Sequence, residues 1–159
     1  MYTILLLAED SLTGHDVRRV AQLHGDEPVQ VHLLIPADTK HNRLVEALDE
    51  VALGRLREAL EDSGVTPPAE AEQEAMHAVN ASIAALGTVG VEARGSVTGD
   101  DPVPAAVEAA RQFEVDEVIV VTPPHLVEES LHRDWASRLK TKLDLPLLHF
   151  VAGTDRVVG

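Results

Sequence analysis

The sequence predicts an α/β protein with a doubly wound parallel sheet of five strands, and two patterns carry this prediction. Five short apolar segments of β type alternate along the chain with segments whose apolar residues recur at helical spacing. Several of the apolar segments are almost continuously hydrophobic, as is typical of parallel strands covered on both faces. Because parallel neighbours need right-handed crossovers, helices are expected on both sides of the sheet.

The predicted strands cover residues 2–8, 28–35, 89–97, 117–121 and 145–151. Ser11 or Thr13 is expected to cap the first helix, and Asp100 or Asp101 a later helix with Pro102 in its first turn. Two helices separated by prolines at 67 and 68 form an extended crossover over about residues 41–87. The core-facing helix positions are, in chain order, Val17, Val20, Ala21 and His24; Leu44, Leu48, Val51 and Leu56; Ala75, Val79, Ile83 and Leu86; Val103, Ala106, Val107 and Ala110; Leu131, Trp135, Leu139 and Leu143.

Length and composition limit the classes of function. A chain of 159 residues with 45% apolar residues is expected to form one domain with a sizeable core. Its 27 acidic and 13 basic side chains give a net charge of −14, which disfavours nucleic acid and anionic membranes as partners. The lack of cysteine excludes disulfides and thiolate metal sites. The N-terminus resembles neither a signal peptide nor a membrane span, so we expect a soluble cytoplasmic protein.

The most informative segment covers residues 99–125, which read as a loop, a helix that begins at a proline, and a wholly apolar strand. Ligands of doubly wound sheets bind just beyond the carboxyl end of such a strand. Phosphate-binding sites usually place glycines there, so that backbone N–H groups can approach the anion. Here Pro123 and Pro124 follow the strand instead. The sequence therefore predicts the scaffold of a nucleotide-binding domain without its phosphate-binding loop.

Four segments resemble, in order and spacing, the motifs of the universal stress protein (UspA-like) family, and together they extend across nearly the whole chain. LLLAEDS at 5–11 is similar to I-L-V-A-V-D-G-S, and GDDP at 99–102 is similar to G-x-P with one extra residue. VDEVIVV at 115–121 is similar to A-D-L-I-V-V-G, and LPLLHF at 145–150 is similar to C-P-V-L-V-V. The resemblance implies a Rossmann-like, three-layer α/β/α sandwich of the adenine nucleotide alpha hydrolase-like type, with strand order 3-2-1-4-5.

The resemblance also shows what this chain lacks. Family members that bind ATP carry G-x2-G-x9-G-[ST] between the last two strands, and the aligned positions here are Val121 or Thr122, Pro123 or Pro124, and residues 133–135. Proline has no N–H group and cannot adopt the glycine conformation. Glu128 and Glu129 would also oppose a triphosphate near the start of the last helix. ATP binding in the usual mode is therefore disfavoured, and Trp135 is expected to fill the phosphate pocket.

Several ligand sites remain as alternatives. If the cleft holds an adenine nucleotide or another metabolite in a changed pose, its lining is expected to be Asp10, Pro36, Gly99, Thr122, His125, His132 and Arg133. Pro36 stands near the family's backbone contact to adenine, where it removes an N–H donor. Asp10, Asp100 and Asp101 could converge on Mg²⁺, but capping and turn roles are favoured, so no metal and no cofactor are expected.

Neither the histidines nor the hydroxyl groups predict catalysis. The eight histidines are scattered, with no pair at the i, i+4 spacing of a helical metal site, and most are expected at the surface or partly buried. No catalytic triad or nucleophile elbow is visible, so a weak nucleotide hydrolase is the least favoured hypothesis. The leading hypothesis is a non-enzymatic stress-response module that acts through protein association. The resemblance implies a homodimer formed through the last strand, which is apolar and lies at the sheet edge.

Overall fold

The computed structural model describes residues 1–37, 68–99, 101–123 and 133–158, with the side chains of 68, 69, 133 and 134 excepted. The strands are β1 (Tyr2–Ala8), β2 (Val29–Pro36), β3 (Glu92–Thr98), β4 (Glu117–Thr122) and β5 (Leu147–Val151). The described helices are α1 (Gly14–Gln22), α2 (Pro68–Thr88), α3 (Val103–Gln112) and α4 (Arg133–Lys142).

All five strands run parallel in the order β3-β2-β1-β4-β5, which confirms the predicted sheet and its order. Central β1 pairs with β2 on one side and with β4 on the other, with Leu6 opposite Leu33 and Ile119. The carboxyl ends of all five strands therefore lie at one edge of the sheet. Every predicted strand is present, and only the ends of four of them differ by one to three residues.

The sheet separates two hydrophobic cores because successive side chains of a strand point to opposite faces. Ile4 and Leu6 of β1 belong to the first core, which also contains buried residues of α1 and α2. Leu5 and Leu7 belong to the second core, with buried residues of α3 and α4. This arrangement is the predicted three-layer sandwich, and it explains why β1 is apolar at nearly every position.

Local signals set most of the helix ends. Thr13 rather than Ser11 caps α1, because its hydroxyl accepts a hydrogen bond from the N–H of Asp16 at 3.2 Å. Asp101 Oδ1 accepts a hydrogen bond from Val103 N at the start of α3. Helix α2 ends before Gly90, whose φ of +82° delays the start of β3 to Glu92. The predicted helix at 44–56 lies outside the described residues.

One approach between α2 and β3 is close enough to need a glycine. A Cβ atom on Gly95 would stand 2.6 Å from Val79 Cγ1 and 3.2 Å from the carbonyl oxygen of Leu33. The backbone of β3 therefore lies directly against the helix.

In the described part of the chain, no helix is both long enough and apolar enough to cross a membrane.

Candidate functional site

The carboxyl edge of the sheet brings together residues that lie far apart in sequence. Asp10 follows β1, Pro36 ends β2, Gly99 follows β3 and Thr122 ends β4. In doubly wound sheets ligands bind in the crevice outside this edge. The edge is therefore the candidate site, and the question is which of its polar groups are available to a ligand.

At the start of α3, the anion-binding position is occupied by the chain's own carboxylate. Asp101 accepts the N–H of Val103 at 3.2 Å, and Arg138 of α4 donates to its two oxygens at 3.0 and 2.7 Å. The hydrogen bond from Arg138 is the main cause that lowers the pKa of Asp101 below its usual value. Asp101 therefore accepts the first N–H of the helix and forms a bidentate ion pair that links α3 to α4.

At the end of β4, Thr122 is turned into the protein. It is buried, and its Oγ1 lies 2.7 Å from Nε2 of His149 on β5, which is also buried. Burial lowers the pKa of His149, so this ring is neutral at neutral pH. Val121, at the aligned position of the first glycine, is buried in the first core. Neither residue offers a free polar group to a ligand beyond the strand.

At the end of β2, the backbone is also fully used. Pro36 lies opposite Thr98 in the sheet and has no N–H group to donate. The following N–H, that of Ala37, donates to the carbonyl oxygen of Thr98 at 3.0 Å. A nucleotide base at this position would find no unpaired amide on either residue.

The described acidic residues of this edge are bonded within the chain. Asp10 is exposed and its Oδ1 accepts the N–H of Ser11 at 2.7 Å, which is a turn hydrogen bond. Asp101 is paired with Arg138, and Asp100 lies outside the described residues. Among residues 1–37, 68–99, 101–123 and 133–158, no group of three or more His, Cys, Asp or Glu side chains could hold a metal ion.

Some predicted site residues cannot be placed. His125 and His132 lie outside the described residues, as do Pro124, Glu128 and Glu129. The backbone of Arg133 begins α4, while its side chain is not described. Trp135 is buried in the second core, and residues 124–132, which precede α4, lie outside the described residues.

The histidines depart from expectation at two positions. The sequence predicts mostly exposed or partly buried rings, but His32 and His149 are buried. His32 stacks on Phe113 of the next layer, with ring centroids 4.0 Å apart and planes 11° from parallel. Burial, helped by Arg94, lowers the pKa of His32. Both rings lie within apolar strands, and that position was the only sign in the sequence that they would be buried.

The structure also reveals a cluster that sequence reasoning missed. Residues 152–158 turn back from β5 towards α1, and Phe150 pairs with Val157 in an antiparallel bridge. Asp16 and Arg19 of α1 bind this returning segment through its backbone. The only local hint was Gly153, which adopts a φ of +73° at the turn. Contacts between residues about 135 positions apart leave no pattern in a single sequence.

The comparisons with known proteins bear on the fold. A universal stress protein from Archaeoglobus fulgidus superimposes with a TM-score of 0.58 at 15% identity, covering 96% of this chain and 94% of that one. The fold is that of the universal stress proteins. The hypothetical protein MJ0577 aligns with a TM-score of 0.55 at 17% identity, over 97% of this chain and 98% of that one.

A further structure is that of the Archaeoglobus fulgidus universal stress protein in complex with dAMP. It aligns with a TM-score of 0.52 at 16% identity, over 96% of this chain and 98% of that one. No protein-family profile matches the sequence, and no curated protein matches it. The likeness is therefore one of fold, and it confirms the structural side of the resemblance seen in the sequence motifs.

Proposed function

We propose that the protein is a non-enzymatic, cytoplasmic module of the universal-stress-protein type that acts through protein association and does not bind ATP in the usual mode. The observation that supports this most is the Asp101–Arg138 ion pair. Besides the loop after β4, the start of α3 is a further place at this edge where an anion could bind, and there it would have to displace a carboxylate that already accepts a backbone N–H and two guanidinium hydrogen bonds.

The remaining edge groups support the same proposal. The Thr122 hydroxyl is bonded to His149, the Ala37 amide is bonded to Thr98, and Pro123 has no amide hydrogen to offer. Phosphate sites in this kind of fold depend on free backbone N–H groups. Because these described groups are already bonded or carry no N–H, they are better suited to a structural role than to holding a nucleotide.

Thermal unfolding with and without nucleotide tests the proposal, and the fluorescence of the single tryptophan can follow it. Magnesium ATP at a hundred times its Kd would stabilise a binding protein by about 2.7 kcal/mol. For a domain of this length, that corresponds to an upward shift of the midpoint by roughly 5–10 °C. We expect no shift beyond that produced by magnesium tripolyphosphate, which controls for non-specific anion effects. A shift specific to ATP would overturn the proposal.

A second candidate is a binder of adenine nucleotides or another small metabolite in a changed pose. The dAMP complex of a protein with this fold favours it. Under this candidate, dAMP or adenosine should raise the unfolding midpoint as much as ATP does, because the triphosphate would not contribute. A shift with adenosine alone would therefore select the second candidate.

The proposed partner surface is the edge of the sheet at β5, and the proposed assembly is a homodimer. β5 is the last strand of the sheet, and buried or half-buried apolar residues fill it except at His149. Sheet edges pair readily with other strands when they are not protected. Sedimentation velocity at increasing concentration should show a monomer–dimer equilibrium; a monomer at every concentration would exclude this assembly.

A further inference from the structure

The edge of β5 that faces away from β4 is covered by a segment of the same chain, residues 153–158, which we call the return segment. Val151 N donates to the carbonyl oxygen of Arg156 at 3.1 Å, and Val158 N donates to that of His149 at 2.8 Å. Between these bonds, Phe150 and Val157 face each other as a non-hydrogen-bonded antiparallel pair. The outward N–H group of Val151 and the outward C=O group of His149 are thus bonded within the chain.

Arg19 of α1 holds the return segment through its backbone. The guanidinium donates to the carbonyl oxygens of Thr154 and Asp155 at 3.0 Å each, and reaches that of Arg156 at 3.5 Å. The same group lies 3.7 Å above the ring of Phe150, which is buried in the first core. One side chain therefore fixes three successive carbonyls relative to the strand that they cover.

Asp16 fixes the turn that begins the return segment. It is fully buried, and both of its carboxylate oxygens lie 3.1 Å from the N–H of Gly153. Thr13 donates its hydroxyl to Asp16 Oδ2 at 2.9 Å, which ties the carboxylate to the cap of α1. A buried carboxylate is costly unless it is bonded, so the turn and the helix cap stabilise each other.

We propose that the return segment is an intramolecular cap, latched by Arg19, that competes with a second copy of this chain for the edge of β5. At His149 and Val151 the cap makes backbone hydrogen bonds that a strand of the partner would otherwise make, so both cannot occupy this end of the edge together. The inference rests on the proposed association at β5 and adds its regulation: whatever releases the latch increases dimer formation.

The main test compares Arg19→Ala with Arg18→Ala, since Arg18 is the exposed neighbour of Arg19 on α1. Hydrogen exchange of the Val151 and Val158 amides reports the cap, and sedimentation velocity reports the dimer. In Arg19→Ala we expect protection of both amides to fall by about tenfold or more, and the dimer dissociation constant to fall by a similar factor. Arg18→Ala should match the wild type in both measurements.

A second pair of variants guards against general loss of structure in Arg19→Ala. Val158→Pro removes the N–H that bonds to His149 and leaves Arg19, Asp16 and Phe150 intact, whereas Val158→Ala keeps that N–H. The proline variant should dimerise more tightly than the alanine variant.

Three outcomes decide the matter. Unchanged protection in Arg19→Ala would overturn the latch without bearing on association at β5. Lost protection with unchanged dimer affinity in both Arg19→Ala and Val158→Pro would overturn the competition and count against β5 as the partner surface. Lost protection with tighter dimerisation in both, and in neither control, would support the inference.

Discussion

His149 on β5 and Thr122 on β4 share a hydrogen bond of 2.7 Å between two buried side chains. The bond joins an edge strand to its neighbour at the carboxyl end of the sheet, where the candidate site lies. The bond turns the Thr122 hydroxyl towards β5 and away from any ligand at the site. Burial lowers the pKa of His149, so its ring is neutral at neutral pH. Two predictions depend on this pair.

The first concerns pH. An unfolded imidazole, with a pKa near 6.5, binds a proton more readily than the buried His149, so the free energy of unfolding should fall as the pH decreases below about 6.5. Denaturant unfolding between pH 7.5 and about 5.5 measures this slope. His149→Asn should make the slope shallower, and His77→Asn, at an exposed position on α2, is the matched control. Equal slopes in both variants would contradict the assignment of the slope to His149. Part of the slope remains in His149→Asn, because the pKa of His32 is also lowered.

The second concerns the hydroxyl. Thr122→Val keeps the shape of the side chain but leaves His149 Nε2 without its partner, so the free energy of unfolding should fall by about 1–3 kcal/mol. Thr141→Val is the matched control. Because Thr141 is exposed on α4, this substitution should lower the free energy of unfolding by less than about 0.5 kcal/mol. Chemical denaturation separates the two values. A cost for Thr122→Val no greater than that of the control would show that the bond contributes nothing.

A third prediction concerns the Asp101–Arg138 ion pair. Removing the guanidinium with Arg138→Ala should raise the pKa of Asp101 towards its usual value, because the hydrogen bond from Arg138 is the largest cause of its depression. Titration of the carboxyl carbon by NMR measures it, and Arg111→Ala at an exposed position on α3 serves as the control. Because the pair is partly exposed, its loss should lower the free energy of unfolding by only about 0.2–1 kcal/mol. This contribution is fully present above the unfolded pKa of the carboxyl and is lost as the pH falls through the lower pKa of the folded state.

A fourth prediction contrasts two glycines. Gly95→Ala forces a methyl group against Val79 and the Leu33 carbonyl, so it should destabilise the protein by about 1–3 kcal/mol. Gly87→Ala, in α2, meets nothing within 4 Å and should be neutral or stabilise by up to about 1 kcal/mol. The free energy of unfolding, measured by heat and by denaturant, should therefore fall in Gly95→Ala and stay the same or rise in Gly87→Ala. Similar losses in both would refute the close approach of α2 to β3.

A fifth prediction uses the single tyrosine of the chain. Burial, together with the hydrogen bond and charge of Glu117, raises the pKa of Tyr2 to about 12. The stabilisation from keeping this phenol neutral is present below its ordinary pKa of 10 and is lost as the pH rises towards 12. Ultraviolet titration should show less than half of the phenol ionised at pH 10.5 while far-ultraviolet circular dichroism remains native. In Glu117→Gln, half-ionisation should occur at lower pH.

Much of the fold could be predicted because its signals are local. Apolar segments located all five strands to within three residues, Thr13 caps α1 as one of its two predicted caps, and Pro102 is the cap of α3 rather than a residue of its first turn. The candidate edge could also be predicted, because parallel strands place Asp10, Gly99 and Thr122 at one side of the sheet. The use of this edge could not be predicted, since Thr122 is bonded to His149 and Asp101 to Arg138, partners that lie 27 and 37 residues away.

The sequence by itself determined the alternation of strands and helices and the loss of glycines after β4, because hydrophobic period and backbone chemistry act over a few residues. The strand order followed from the resemblance of its motifs to those of the universal stress protein family. Only the tertiary structure decided that Asp101 is paired with Arg138 and that Arg19 and Asp16 hold the return segment on β5. These contacts join helix ends and turns through a few hydrogen bonds between distant residues. Such contacts are set by how the layers pack, and packing leaves no periodic mark on the chain.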